Sequence, residues 1–212
     1  MEEKIAFLKE WLGTGSIDIF GLPMSGKDTV GVKLAEMLGA RFLSSGMIIR
    51  AMEKEENQNY TGGGELAPTD VFYKWVLPYF GREDLADSAL ILSSVGRWSG
   101  EEDKVMEAAA GAGHPIKAVV LLNVSEADVM ERWELVQQTG QRIGQDQLPV
   151  RADDKEKEVF DKRVAEFKEK TMPVMNHYQQ LGLLVPVLAD MTREEVMAAV
   201  VDKLYEFANK KN

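Results

Sequence analysis

The 212-residue chain has no cysteine, which excludes disulfides, thiolate-held zinc and a cysteine nucleophile. Any metal must then be held by oxygen. Histidine is almost as scarce: there are two, His114 and His177, and since neither lies near a motif both read as structural or surface residues. Positive charge is also in deficit, with 25 Lys and Arg against 35 Asp and Glu for a formal net charge of −10. That balance argues against an extended surface for nucleic acid or anionic membrane. Long apolar runs of bilayer length are missing, and Met1-Glu2-Glu3-Lys4 is too acidic for a secretory leader. A cytoplasmic location is expected.

What is present centres on Gly21-Leu22-Pro23-Met24-Ser25-Gly26-Lys27-Asp28-Thr29, set between an apolar run at 17–20 and an amphipathic stretch at 30–38. A strand that ends in a glycine-flanked turn and feeds a helix lets backbone N–H groups converge on phosphate oxygens. The helix N-terminus adds about half a positive charge, and the lysine neutralises the outer phosphates. This is a phosphate-binding loop, and nucleotide chemistry follows from it. The usual pattern has Ser or Thr directly after the lysine, whereas here Asp28 intervenes before Thr29.

Further strand-length apolar runs lie at 41–43, 89–92, 116–122 and 183–188, separated by helical periodicity at 102–110, 126–136, 155–178 and 193–207. An amphipathic helix at 2–12, read as packing, precedes the first strand. Alternation of this kind predicts an α/β fold: a P-loop three-layer α/β/α domain around a parallel sheet of about five strands. Its ligands bind beyond the carboxyl ends of the strands. Two polar excursions, 53–69 and 137–153, interrupt the pattern and read as binding loops or lids. No internal repeat is visible.

Taken in order, the motifs resemble the adenylate kinase and nucleoside monophosphate kinase family, as a short-lid member. Its loop typically reads Gly-x-Pro-Gly-x-Gly-Lys-Gly-Thr, so a residue between Lys and Thr is a family habit. Ser44-Ser45-Gly46-Met47-Ile48-Ile49-Arg50 resembles Ser-Thr-Gly-Asp-Met-Leu-Arg, and Gly64-Glu65-Leu66-Ala67-Pro68-Thr69-Asp70 is similar to Gly-x-Leu-Val-Pro-Asp-Glu. Leu92-Ser93-Ser94-Val95-Gly96-Arg97 stands where the family has Leu-Asp-Gly-Phe-Pro-Arg, and Arg151-Ala152-Asp153-Asp154 with Lys162-Arg163 resembles the return from the lid. The resemblance implies one domain, 1–212, with a core at 14–43, 86–136 and 154–212, a monophosphate-binding lobe at 44–85 and a lid at 137–153. It also implies reversible transfer of the γ-phosphate of magnesium ATP to a monophosphate, AMP by default. ATP and the monophosphate are the implied partners, without zinc, nucleic acid or membrane, and the chain is expected to be a monomer.

Physics assigns the same residues compatible tasks, since phosphoryl transfer requires two polyanions held in line and the developing charge neutralised. Arginine suits that task, because its planar fork binds phosphate through two donors at any working pH. The expected catalytic residues are Lys27, Arg97, Arg151 and Arg163. Gly21, Pro23, Met24, Ser25, Gly26, Lys27, Asp28 and Thr29 would bind ATP, with Arg132 resembling the arginine that lies against the donor's adenine. Ser45, Gly46, Arg50, Arg97 and Glu101 would bind the monophosphate. Between Lys162 and Arg163 the spacing leaves the register open, with Arg163 the better alignment.

Three departures bear on mechanism. Met24 replaces a loop glycine, which matters if that position needs positive φ. Ser93 replaces the strand-end aspartate that holds magnesium through water; Asp28 either supplies the missing carboxylate or serves as a first-turn helix acid. Glu101 replaces the glutamine that reads adenine; as a carboxylate it suits guanine's N–H groups, or else it is simply an acid at a helix start. A non-catalytic nucleotide-binding relative and a P-loop kinase of another small metabolite are the competing readings.

Overall fold

The computed structural model describes residues 1–139 and 155–211. Five strands, β1 (Ser16–Gly21), β2 (Arg41–Ser44), β3 (Leu90–Ser93), β4 (Ile116–Asn123) and β5 (Leu184–Leu188), form one sheet in the order β2-β3-β1-β4-β5. Every pairing is parallel. β1 lies at the centre and is buried along its whole length, which suits an apolar run covered on both faces. Pro186 sits on the edge strand β5, where a missing N–H need not break a ladder.

One face of the sheet is covered by α1 (Glu2–Leu12), α2 (Lys27–Leu38) and α9 (Arg193–Lys211). Leu8, Leu12, Leu34, Val200 and Leu204, all fully buried, pack there with Ile17 and Ile19 of β1. The two-residue period of a strand sends Asp18 and Phe20 to the opposite face. There Phe20 packs with Val174, Met175 and Tyr178 of α8 (Met172–Gln180). Leu90 and Leu92 pack on that side with α5 (Glu101–Gly111) and with α3 (Ser45–Glu56) and α4 (Thr69–Trp75). The result is the expected three layers.

Strand register puts the ligand side at one level, because Ser44 pairs with Ser93 and Ser93 with Ile19, two residues before the end of β1. The loops that leave β1, β2 and β3 therefore meet. α6 (Glu126–Thr139) and α7 (Lys157–Glu166) approach from the other side of the β1 loop, with Trp133 stacked on Phe160 at 5.6 Å between centroids. The long helix expected at 155–178 is continuous from α7 to α8 but contains a π-helical turn at Phe167–Thr171. Pro173, in the first turn of α8, has no N–H with which to continue the α ladder, so the helix widens just before it.

No helix among the described residues is long and apolar enough to cross a membrane. The expected lid beyond Thr139, including Arg151 and Asp153, lies outside the described residues, as does Asp154 at the start of the returning core segment.

Candidate active site

The Gly21–Thr29 loop joins β1 to α2, and its backbone is shaped by two left-handed positions. Met24 has φ 62° and Gly26 has φ 88°. The sequence left open whether position 24 requires positive φ; it does, and a side chain there carries strain that glycine would not. Gly21 is needed for a different reason, since a Cβ at that position would lie 2.5 Å from Ser25 Oγ. Ser25 is buried and its Oγ finds no hydrogen-bond partner among the described residues. An unpaired buried hydroxyl inside a helix-terminal loop fits an incoming oxygen ligand. The first-turn N–H groups of α2 point along the helix axis toward the loop, as at any helix N-terminus. Lys27 bends back over the loop, its Nζ 3.5 Å from the Leu22 carbonyl.

A cavity beside this loop is lined by Gly21, Pro23 and Lys27 together with Arg50, Arg97 and Arg163. Three guanidinium groups from α3, the loop after β3 and α7 thus converge with the lysine. Around Gly46 the approach is close, because a Cβ there would lie 3.0 Å from Arg50 Nη1 and 3.7 Å from Arg97 Nη2. Burial, aided by the like charges of Arg163 and Arg50, pushes Arg97 down to about 10, with Asp28 and Glu101 acting in the other direction. It remains charged at neutral pH. Such a cluster of positive groups suits a polyanionic ligand.

Gly64, at φ 90°, brings the 57–68 loop against α7: a Cβ there would meet the Val159 carbonyl at 2.7 Å and Arg163 Cγ at 3.2 Å. The neighbouring Lys162 points outward to pair with Glu65. Of the two candidates in that register, Arg163 is the one that faces the cavity. Arg132 lies apart from this cluster, donating from Nη2 to the Ala189 carbonyl at 2.7 Å and from Nη1 to the Met24 and Ser25 carbonyls at 3.3 and 3.4 Å. It lines a second cavity with Gly26, Thr29 and Thr192.

Asp28 occupies the first turn of α2, nearly buried, and its Oδ1 accepts a hydrogen bond from Ser93 Oγ at 2.5 Å. A carboxylate and a strand-end hydroxyl, separated by 65 positions in the chain, are thus joined beside Lys27 and Thr29. This donor set fits magnesium, which takes few protein ligands and keeps several waters. Among the described residues no group of three or more His, Cys, Asp and Glu could hold a metal by itself.

Glu101 is 2 % exposed and both its oxygens are engaged. Oε2 accepts from the N–H groups of Arg97 and Trp98 at 2.8 and 3.0 Å, and Oε1 accepts from Thr69 Oγ1 at 2.8 Å. Burial raises its pKa against the pull of these donors. Ser45 Oγ donates to the Ser94 carbonyl at 2.5 Å. Trp98 borders the cavity, with its Nε1 bonded to the Ala67 carbonyl at 3.2 Å and Lys170 Nζ 4.1 Å above its ring. Thr171, on the π turn, lines the cavity with a buried hydroxyl that finds no partner among the described residues; the sequence analysis did not single it out as a site residue, and only Pro173 hinted at the irregular turn. His114 bonds the Thr14 carbonyl through Nδ1 at 3.0 Å, and His177 approaches Asp103 at 3.3 Å; neither is among the cavity residues.

Known proteins resemble this chain along most of its length. Adenylate kinase from Bacillus subtilis (strain 168) is 28% identical over 215 residues, covering 88% of this chain and 96% of that protein. Adenylate kinase from Kocuria rhizophila is 28% identical over 192 residues, covering 86% and 96%. Among solved structures, a gluconokinase from Sinorhizobium meliloti 1021 superposes with a TM-score of 0.60 at 20% identity, covering 93% of this chain and 95% of that one. At that identity the likeness concerns the fold alone. A family model described as an AAA domain matches residues 20–156, from the end of β1 past α6. The chain therefore belongs to the AAA-domain family.

Proposed function

We propose that the protein is a nucleoside monophosphate kinase of the adenylate kinase type, moving the γ-phosphate of magnesium ATP reversibly to a monophosphate, with AMP the default acceptor. The observation that carries this reading is the convergence of Arg50, Arg97 and Arg163 with Lys27 in one cavity beside the phosphate loop. A single phosphate needs one or two such groups, whereas a donor triphosphate and an acceptor phosphate meeting end to end need several. In this reading the 44–85 segment is the acceptor lobe. Arg50 holds the acceptor phosphate, Arg97 bridges it to the transferred group, and Lys27 and Arg163 neutralise the donor side. The loop N–H groups fix the donor phosphates in line, and Arg132 borders the space for the donor's base. Arg151 is assigned to the same donor closure.

Magnesium, when bound, supplies charge neutralisation on the donor phosphates. Asp28 and Ser93, with Thr29 beside them, are the groups that would hold its water shell. Glu101 spends its carboxylate on the turn that carries Arg97, which favours its reading as an acid at the helix start.

A second reading, a kinase of another small metabolite, is supported by the gluconokinase likeness in fold. A turnover panel decides between them: magnesium ATP with AMP, GMP, CMP, UMP, dTMP and gluconate in parallel. Turnover with a nucleoside monophosphate is the expected result. Turnover with gluconate alone would establish the second reading, and tight ATP binding with no acceptor used would establish a non-catalytic one.

A further inference from the structure

Beneath the turn that carries Arg97 lies an acid to which the transfer reaction gives no task. Asp18 is in the middle of β1 and has no exposed surface. A central parallel strand ordinarily carries apolar residues at such a position, since burying a carboxyl without partners is costly. Here the carboxyl has a partner. The Val95 N–H donates to it, at 3.1 Å to Oδ2 and 3.4 Å to Oδ1, and the preceding Ser94 N–H donates to the Ile19 carbonyl at 3.0 Å. Two successive residues of the turn are thus anchored to β1, one by backbone and one by Asp18.

The turn needs anchoring, because Ser94 is held at φ 53° and Gly96 at φ 82°. A non-glycine residue in the left-handed region persists only where its surroundings determine it. The Ser94 carbonyl fixed in this way accepts from Arg97 Nε at 3.3 Å and from Ser45 Oγ at 2.5 Å. Only a short chain of bonds separates the buried acid from the guanidinium: Asp18 to Val95, Val95 to its neighbour Ser94, and Ser94 to Arg97. We propose that Asp18 is a positioning residue, which holds the 94–97 turn so that Arg97 is delivered to the junction of the two phosphates. This rests on the proposed function only for what Arg97 touches. Burial pushes the Asp18 carboxyl up to about 8, against the pull of the turn's N–H groups. The neutral acid therefore predominates at neutral pH, and asparagine is its nearest mimic.

The test compares Asp18→Asn with Asp18→Val and with Asp18→Ser, whose shorter side chain cannot reach the Val95 N–H. The first readout is the NMR signal of the Arg97 Nε–H, assigned with Arg97→Lys, which needs neither acceptor nor turnover. Asparagine should leave it in place, while valine and serine should shift it toward a solvent-exposed arginine. The second readout is steady-state kinetics with the acceptor found in the panel. Valine and serine should raise acceptor KM and lower kcat by about tenfold or more, with the KM for ATP within about twofold, since small displacements of a positioning group cost this much. An unmoved Arg97 signal in the folded serine or valine variant overturns the proposal, as does its loss in the asparagine variant. Equal weakening of both substrates would reduce Asp18 to a structural role. If the Arg97 signal responds but no acceptor is used, the kinase reading fails and the positioning role stands.

Discussion

Two loops of this protein leave neighbouring parallel strands on the same side of the sheet and feed helices, yet they present opposite surfaces. The loop after β1 contains left-handed backbone at Met24 and Gly26; the loop after β3 contains it at Ser94, Gly96 and Gly100. In the first, the start of α2 points at the loop's interior and Ser25 Oγ finds no partner among the described residues, which suits an anion. In the second, carboxylates have taken the backbone donors: Asp18 takes Val95, Glu101 takes Arg97 and Trp98, and Glu102 takes Gly100 at 2.6 Å. With these four N–H groups occupied, the second loop offers a side chain instead. One strand-to-helix junction thus makes a backbone cradle and the other a rigid mount for an arginine, according to whether acids lie beneath it.

The sharpest way to break this contrast is to remove the charge each loop delivers. Lys27→Met and Arg97→Ala should each lower kcat by at least ~100-fold, because each removes a group facing charge that develops in the transition state. Far-ultraviolet circular dichroism should stay unchanged in both. Near-normal turnover in both variants would remove the basis of the kinase assignment. Glu101→Ala should act differently, as it leaves the Arg97 and Trp98 N–H groups without their acceptor. A stability loss of about 1–3 kcal/mol in urea unfolding is expected, whereas Glu101→Gln, which keeps one acceptor oxygen, should lose less. A switch of acceptor base in Glu101→Gln, without a stability change, would restore Glu101 as the base reader.

Much of this was legible before any coordinates. Alternating periodicities gave the layers, and the Gly21–Thr29 pattern located the donor loop, because both depend on local spacing. The order of the arginines placed Arg50, Arg97 and Arg163 near one another, although the sequence could not separate Arg163 from Lys162 until the helix face was known. Less visible were relations between distant strands. Asp28 was legible as a substitute for the carboxylate that Ser93 lacks, but the hydrogen bond between them depends on the register in which β3 lies beside β1 and the start of α2. Asp18 was in plain view within Ile17-Asp18-Ile19-Phe20 and went unread. A charge inside a fully apolar central strand is itself a signal, since such groups are retained only with a partner.

Asp18, the acid beneath the second loop, also predicts a pH effect. Folded Asp18 keeps its proton up to about pH 8, while in the unfolded chain it releases it near its ordinary 3.8. Within that window the folded state binds more protons, so rising pH weakens folding until the carboxyl ionises in both states. Asn cannot ionise, and in Asp18→Asn this contribution disappears. The stability difference between variant and parent should therefore grow in the variant's favour by about 1 kcal/mol for each pH unit between 5 and 7 and level off above about 8. Parallel urea titrations at pH 5, 6, 7 and 8 measure it, and groups common to both proteins cancel in the difference. Parallel curves would show that Asp18 is ionised in the fold across that range.

The first loop makes the smallest prediction, and it isolates backbone strain from packing. Met24 at φ 62° stands where glycine would be unstrained, yet its side chain also packs against the apolar cluster that includes Leu22, Val129 and Trp133. Met24→Gly relieves the strain and loses the packing; Met24→Ala loses much of the packing and keeps the strain. Comparing the two variants with each other, instead of with the parent, removes most of the packing term. Glycine should be the more stable by up to about 1 kcal/mol, a left-handed penalty of roughly 1–2 kcal/mol less the extra chain entropy glycine brings to the unfolded state. If alanine is equal or better, the loop can relax position 24 out of the left-handed region. Its cradle would then be adaptable where the loop after β3, tied by three carboxylates, is fixed.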